Sequence, residues 1–244
     1  LKQVPAAEYN PIEFVKTNVL GSQNIVEAAI AQKVERVVAL STDKAVAPVN
    51  LYGATKLCAD KLFVAANSIT GFQKTSFSVV RYGNVLGSRG SILHEFIKSN
   101  KMNKAFKVTD KSMTRFNIIL DDAIKLIIWS INNCRGGEII VPKLKSFKIT
   151  DLAKSINQKR PLKIVGIRPG EKIHEELIST AESSNTYDVK DKYFVLNDVM
   201  KKRFYKNKKL KLIKNFESYN SKNNKYLSVK DIKSLINKYF KKDK

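Results

Sequence analysis

Short apolar runs rich in β-branched residues alternate along the chain with longer segments in which apolar residues recur every three or four positions. The first pattern predicts buried strands and the second predicts amphipathic helices. Strands are expected at 37–40, 76–81, 115–120, 138–141 and 163–165, and helices at 11–32, 50–67, 91–99, 121–132, 150–157 and 227–239. Strands that alternate with helices indicate an α/β protein built on a doubly wound parallel sheet.

Two of these helices carry a recognisable start. Asn10 precedes Pro11, which suits the first helical position, and Glu13 follows in the first turn. Ser228 stands at the start of the last helix. We expect Asn10 and Ser228 to be N-caps, because their side chains can accept hydrogen bonds from free backbone N–H groups.

Length and composition narrow the class of protein. A chain of 244 residues can bury a full core, and its two cysteines are too few for a disulfide framework. No apolar run reaches the eighteen or more residues that a transmembrane helix needs. We therefore expect a cytoplasmic protein without a membrane span.

The formal charge of +23 raises a different possibility, a basic protein that binds nucleic acid or another polyanion. Much of the excess lies in residues 200–244, which hold sixteen Lys and Arg against three Asp and Glu. No zinc-ligand spacing or recognition motif accompanies these lysines. We expect no nucleic-acid partner, and polyanion binding stays as the alternative from another class.

The segment 41–56 concentrates groups that can move protons. Thr42, Asp43 and Lys44 directly follow the strand at 37–40, and parallel sheets place their ligands at the carboxyl ends of strands. Tyr52 and Lys56 lie one turn apart on the next helix. The same Tyr-x-x-x-Lys spacing recurs twice in the basic carboxyl-terminal segment without a strand before it, so the spacing alone is weak evidence. A solvated helix pair and an exposed loop pair are the alternatives for these residues.

These motifs resemble the extended short-chain dehydrogenase/reductase family. Ser-Thr-Asp-Lys at 41–44 followed by Tyr-Gly-Ala-Thr-Lys at 52–56 is similar to the inverting UDP-N-acetylglucosamine 4,6-dehydratases, of the CapD-like polysaccharide biosynthesis family. The retaining dehydratases have Glu at the position of Lys44. The resemblance covers the chain to about residue 235 and implies a Rossmann-type fold, NADP as cofactor and a UDP-sugar substrate. A sugar-nucleotide 4-epimerase of the same family is the alternative, because it needs Tyr52 and Lys56 but not the Asp43/Lys44 pair.

The resemblance also implies a role for each catalytic residue. Tyr52, as phenolate, takes the hydroxyl proton at carbon 4 of the sugar, and the Lys56 ammonium favours that phenolate. Lys44 is the base at carbon 5, and Asp43 is the acid that protonates the departing hydroxyl at carbon 6. Lys44 must be neutral to act as a base, so Asp43 must be protonated in the complex or desolvation must dominate.

Further positions match binding residues of the family. Besides Tyr52 and Lys56, the cofactor contacts implied are Leu40, Ser41, Val85, Leu86, Gly87, Ser88 and Arg89. The substrate contacts implied are Lys2, Thr42, Asn84, Arg115, Arg168 and Glu171. A guanidinium can hold a diphosphate bidentately, although a surface ion pair is the alternative for both arginines. His94 and His174 are too isolated for a metal site, and we expect Cys58 to be a packed small side chain.

A glycine fingerprint after the first strand is missing. The loop 83–90 follows a strand, but the family places it later, at the nicotinamide and the substrate. We therefore expect an amino-terminally truncated chain: a partial NADP-binding domain at 1–145, a substrate lobe at 146–200 and a basic segment at 201–244 that ends in a helix. Whether such a chain is active is left open. The resemblance further implies a homo-oligomer that dimerises through the helices at 11–32 and 51–67.

Overall fold

The computed structural model describes residues 1–71, 74–206, 208–214 and 217–240. Its α-helices are α1 Val4–Tyr9, α2 Pro11–Phe14, α3 Gly21–Ala31, α4 Leu51–Ile69, α5 Ile92–Lys101, α6 Leu120–Asn133, α7 Ile149–Ile156, α8 Thr180–Ser183, α9 Asp198–Tyr205 and α10 Val229–Phe240. Its strands are β1 Arg36–Thr42, β2 Ser76–Tyr82, β3 Asn84–Val85, β4 Phe106–Val108, β5 Thr114–Ile118, β6 Ile139–Pro142, β7 Ser146–Lys148, β8 Leu162–Ile164, β9 Glu176–Ile178, β10 Thr186–Val189, β11 Lys192–Val195, β12 Lys211–Leu212 and β13 Tyr219–Asn220.

The chain forms two compact units, each assembled from separate stretches of sequence. Unit 1 comprises Leu1–Tyr82, Asp121–Lys143 and Glu176–Tyr219. Unit 2 comprises Gly83–Leu120, Leu144–Glu175 and Asn220–Lys244. The three domains expected from the sequence are continuous, whereas these units are interleaved, and the domain boundaries at 145 and 200 stay a prediction.

Unit 1 is built on a six-stranded sheet in the order β1-β2-β6-β11-β10-β12. β1, β2 and β6 run parallel, and β11 joins β6 in antiparallel orientation. The strongly apolar centre of β2 is buried on both faces, as a parallel strand between layers of helices must be. The α/β fold with a parallel sheet is therefore confirmed.

One face of this sheet is covered by an apolar cluster. The buried members from the sheet include Val80 and Ile140, and Leu126 of α6 packs among them. The cluster also holds Met200 and Tyr205 of α9, so the start of the Lys-rich segment is anchored in unit 1.

Unit 2 has a core of its own. A three-stranded sheet runs in the order β3-β5-β7, and β4 pairs with β8. Phe96 of α5, Phe106 of β4 and Leu152 of α7 are buried together with Ile232 of α10. The end of the basic segment thus contributes an apolar residue to a core, with lysines on its outer face.

Most predicted elements are present, with informative differences in detail. The first long helix begins at Pro11 as expected, but Asn10 donates its side-chain amide to the Ala6 carbonyl and does not cap it. The sequence pattern missed α1, which precedes that start, and a π-helical stretch at Val15–Leu20 between α2 and α3. Ser228 does cap α10, because its hydroxyl accepts from the N–H of Asp231.

The sequence pattern did not predict the strands and helices between residues 176 and 212. β10 and β11 are only four residues each and pair antiparallel with each other. Strands this short carry little periodicity, and their pairing depends on residues that are distant in sequence.

Candidate active site

The strand β1 delivers three polar residues to one point. Thr42 ends the strand, and its hydroxyl accepts from the N–H of Lys44 at 3.4 Å, which starts a single 3₁₀ turn over Asp43–Ala45. The Thr42 hydroxyl also donates to Asp43 Oδ1 at 2.9 Å. Lys44 Nζ lies 3.2 Å from the same carboxylate oxygen. Asp43 is 1% exposed, so the alternative of an exposed loop pair is wrong for it.

The helix α4 approaches this turn closely because of a glycine. Asn50 caps α4, accepting from the N–H of Gly53 at 2.8 Å. A Cβ on Gly53 would overlap the backbone carbonyl of Lys44 and touch Pro48. Only glycine lets the helix and the turn meet at this separation. The Tyr-Gly step of the motif is therefore a packing requirement that brings Tyr52 and Lys44 together.

Tyr52 is buried, and four neighbours act on its pKa. Burial raises the pKa of Tyr52 above its usual value, because the phenolate loses solvation. The hydrogen bond with Thr42 and the positive charge of Lys44 oppose that rise, whereas Asp43 and Tyr82 add to it. The alternative of a solvated Tyr-Lys pair is wrong, since Tyr52 is only 7% exposed.

Lys56 points back along α4 towards the strand. Its amine donates to the carbonyl of Leu40 at 2.7 Å. Burial lowers the pKa of Lys56, and the charge of Asp60, one turn further on, opposes that change. The groups that favour the Tyr52 phenolate in this arrangement are therefore Thr42 and Lys44. The same role for Lys56 stays a prediction.

A buried ionic network below Lys56 was not expected from the sequence. Arg81 on β2 is fully buried, and its Nη2 lies 3.1 Å from Asp60 Oδ2. Its Nη1 lies 3.0 Å from Glu182 Oε2 and donates to the Leu177 carbonyl at 3.1 Å. Glu182 also forms a capping box with Ser179 at the start of α8.

Asn18 is a second residue that sequence reasoning missed. It is buried in the π-helical stretch, and its side-chain amide donates to the Thr55 hydroxyl at 3.0 Å. Thr55 in turn donates to the carbonyl of Tyr52 at 2.8 Å. An asparagine amid an apolar helical stripe was the available signal, since a buried amide must find partners.

The cofactor candidates Val85 to Arg89 and the substrate candidate Asn84 follow β2, in unit 2. Asn84 and Val85 form β3 and pair with Asn117 and Ile118. The Ser88 N–H donates to the Val85 carbonyl at 3.1 Å, which closes a turn. Gly87 has φ +71°, a left-handed conformation that favours glycine, so the turn explains this glycine. Leu86 and Arg89 belong to the same segment.

Arg115 in unit 2 is buried and fully engaged. Its guanidinium donates to the carbonyls of Thr114, Lys172 and Ile173 at 2.7 to 3.0 Å. It also lies 3.7 Å from carboxylate oxygens of Glu171 and Glu175. The ion-pair alternative is therefore present, although inside the unit and not on its surface.

Arg168 and Lys2 are exposed in the described structure. The backbone N–H of Arg168 lies 3.5 Å from Glu171 Oε2. Leu40 is 45% exposed and Ser41 is buried. Cys58 is exposed, so the expectation that it is packed is wrong for this chain.

Two features are absent from the described residues. Within 1–71, 74–206, 208–214 and 217–240, no three His, Cys, Asp or Glu side chains are grouped to hold a metal ion. No helix in the part of the chain that the structure describes is long and apolar enough to cross a membrane.

Comparison with known proteins decides the family. The profile of the family described as polysaccharide biosynthesis protein matches residues 1–197. A UDP-N-acetylglucosamine 4,6-dehydratase (inverting) from Campylobacter jejuni (strain 81-176) is 46% identical over 97% of this chain and 74% of its own. The chain belongs to this family of polysaccharide biosynthesis proteins. The expected resemblance is thus confirmed, and the family includes enzymes that dehydrate nucleotide sugars.

Other relatives and solved structures are also similar to this chain. A UDP-glucose 4-epimerase from Rickettsia rickettsii is 38% identical over 97% of this chain and 71% of its own. The X-ray structure of Pen from Bacillus thuringiensis is 36% identical, with a TM-score of 0.88 over 98% of this chain and 73% of that one. The NAD-bound dTDP-glucose 4,6-dehydratase DesIV from Streptomyces venezuelae has a TM-score of 0.62 over 71% of this chain and 60% of its own. It is only 20% identical, so this likeness shows the fold alone.

Proposed function

We propose that this chain carries the acid–base centre of an NADP-dependent inverting 4,6-dehydratase of UDP-N-acetylglucosamine, acting in bacterial surface-polysaccharide or flagellin-glycan synthesis. The observation that supports it most is the Asp43–Lys44 pair at 3.2 Å beside buried Tyr52. A 4-epimerase needs a single base at carbon 4, whereas elimination needs an additional base and acid on the neighbouring carbons. The pair supplies both groups at one place.

The geometry offers an answer to the conflict between the charges of Asp43 and Lys44. One proton moved across the 3.2 Å contact turns the ion pair into a neutral amine and a carboxylic acid. Excluding water favours the neutral forms, because isolated charges lose their solvation. Once carbon 4 has been oxidised, this transfer would present Lys44 as a base for carbon 5 and Asp43 as an acid for the leaving hydroxyl.

Tyr52 removes the hydroxyl proton at carbon 4 in this scheme. Burial raises its pKa, and the hydrogen bond with Thr42 together with the charge of Lys44 opposes part of that rise. When Lys44 releases its proton it stops favouring the phenolate. Tyr52 must therefore act first, and Lys44 second, which is the order that elimination after oxidation requires.

Part of the cofactor fits the residues present. The Lys56 amine at the Leu40 carbonyl, with Tyr52 one turn away, suits the ribose and nicotinamide end of a dinucleotide. Bound NADP would accept and return the hydride. The sequence holds no glycine fingerprint after β1 that would cradle the pyrophosphate, so only the nicotinamide end is assigned here.

The other assignments stay proposals that follow from the resemblance. Cofactor contacts are Leu40, Ser41, Tyr52, Lys56, Val85, Leu86, Gly87, Ser88 and Arg89, and substrate contacts are Lys2, Thr42, Asn84, Arg115, Arg168 and Glu171. Arg115 can meet a diphosphate only if it exchanges the contacts described above. A dimer through the helices at 11–32 and 51–67 and a cytoplasmic location belong to the same proposal.

The 4-epimerase is the second candidate, because relatives with that name are 38% identical. The two activities differ in what solvent deuterium does. We expect the protein, incubated with UDP-N-acetylglucosamine and NADP in deuterated water, to place deuterium at carbon 5 and to lose water from the sugar. Interconversion of the carbon 4 epimers without exchange at carbon 5 would favour the epimerase and reject the dehydratase.

A further inference from the structure

Three ionisable side chains form a buried network beside α4, and the charge of a fourth, Lys56, has to be considered with theirs. Arg81 cannot release its proton, and it lies 3.1 Å from Asp60 and 3.0 Å from Glu182. Lys56 is the fourth group, one helical turn before Asp60. When both carboxylates are ionised, they and the one guanidinium leave one negative charge, which a protonated Lys56 balances.

This charge balance matters because burial lowers the pKa of Lys56 and so favours its neutral form. A half-buried amine tends to lose its proton, whereas a nearby carboxylate favours its charged form. Asp60 is 2% exposed, and burial raises the pKa of its carboxyl, whereas the charge and hydrogen bond of Arg81 favour the ionised form and hold the side chain in place. Its negative charge therefore acts on Lys56 through a poorly solvated region, where charges interact strongly.

We propose that Asp60, anchored by Arg81, is a positioning residue that keeps the Lys56 amine protonated and directed at the Leu40 carbonyl. Asp60 touches neither cofactor nor substrate in this account and acts through Lys56. The importance of Lys56 for catalysis rests on the proposed function, but its protonation can be measured on the free chain.

The neighbouring ionisable groups do not supply the same charge. Asp43 and Lys44, on the turn after β1, pair with each other at 3.2 Å. Tyr52 on α4 and Tyr82 on β2 have their pKa values raised by burial and are neutral phenols near neutral pH. Asp60 is the acidic residue of α4 itself.

The test measures the pKa of Lys56 without any ligand. Acetic anhydride acetylates only unprotonated amines, and peptide mass spectrometry follows each lysine separately across a pH series. Lys61, exposed on the same helix, is the internal reference. In Asp60→Asn we expect the pKa of Lys56 to fall by about one unit or more, with Lys61 unchanged.

Two variants distinguish the effect of the position of Asp60 from the effect of the total charge of the cluster. Glu182→Gln removes one negative charge from the same cluster on the far side of Arg81, so it should lower the pKa of Lys56 by less than Asp60→Asn does. Asp60→Glu keeps the charge and should restore most of the wild-type value. Equal shifts in Asp60→Asn and Glu182→Gln would overturn the assignment to Asp60.

A purely structural role makes the opposite prediction. If Asp60→Asn only loosened the fold, Lys56 would become solvated and its pKa would rise towards the ordinary value. A rise, or no change in a folded variant, overturns the proposal. Should Asp60→Asn not fold, Lys56→Met/Asp60→Asn, which is again neutral, should fold; if it also fails, Asp60 serves packing and the proposal is wrong. Each outcome is independent of whether the protein dehydrates a sugar.

Discussion

Lys44 in unit 1 and Arg115 in unit 2 are both cations that the sequence pointed to as functional, yet their surroundings differ. Lys44 is 24% exposed at its side chain and contacts Asp43 at 3.2 Å. Arg115 is 9% exposed at its side chain and is held by three carbonyls and two carboxylates. A proton can move within the first pair, whereas the second is satisfied as it stands. The comparison indicates that a functional charged group is recognised by whether its contacts still allow it to transfer a proton.

The largest effect is expected from the glycine that brings Lys44 to Tyr52. Gly53→Ala forces α4 and the turn apart, because its Cβ would overlap the Lys44 carbonyl. A displacement of about 1 Å costs about 10²-fold in rate, and we expect at least that loss in turnover together with a lower midpoint of thermal unfolding.

Gly21→Ala is the matched control. A Cβ there meets only the Lys16 carbonyl at 3.6 Å, an ordinary contact within the helix. It should keep turnover and raise stability slightly, by about 0.4 to 1 kcal/mol. Equal losses in both variants would show that the close approach at Gly53 has no special role.

Arg115→Met tests the other half of the comparison. Removing the guanidinium leaves Glu171 and Glu175 without their cation, and breaking a buried pair in this way costs about 3 to 5 kcal/mol. Denaturant unfolding should show this loss, and it should exceed that of Lys44→Ala. If Arg115→Met leaves stability unchanged but raises KM for the UDP-sugar, Arg115 is a substrate residue as the resemblance implies.

A smaller effect is expected at Thr42. The hydrogen bond from Thr42 lowers the pKa of Tyr52, so Thr42→Val should raise that pKa. The base form then appears only at higher pH, and the rising limb of turnover against pH should move to higher pH. A downward shift would contradict the account of Tyr52, and Thr180→Val, at the start of α8, controls for loss of a threonine hydroxyl elsewhere.

The smallest effect concerns the two cysteines. Cys58 is exposed, whereas Cys134 is buried. Burial raises the pKa of the Cys134 thiol well above its usual value. Iodoacetamide should spare Cys134 in the native protein and should label Cys58 wherever this surface of α4 is uncovered. If Cys58 is instead protected from labelling, and Ser substitutions on α3 remove that protection, the expected dimer is supported. This surface of α4 would then be covered by the partner.

Local signals predicted much of the fold and the reactive part of the site. The cap at Ser228 and the spacing of Tyr52 and Lys56 on one helix depend on neighbours a few residues away, and both are as the pattern indicated. Arg81 could not be assigned in this way, because its partners Asp60 and Glu182 lie 21 and 101 positions distant. The contacts that distinguish Arg115 from Lys44 likewise come from residues 57 and 58 positions away.

The most direct test of the central claim uses Lys44→Ala with UDP-N-acetylglucosamine and NADP in deuterated water. In the proposed scheme, oxidation at carbon 4 needs Tyr52, whereas exchange at carbon 5 needs Lys44. We predict that the absorbance of the reduced nicotinamide still appears, that no deuterium enters carbon 5, and that elimination falls by about 10² to 10⁴-fold. Failure of the variant to reduce the cofactor, or normal deuterium exchange at carbon 5, would contradict the division of labour between Tyr52 and Lys44.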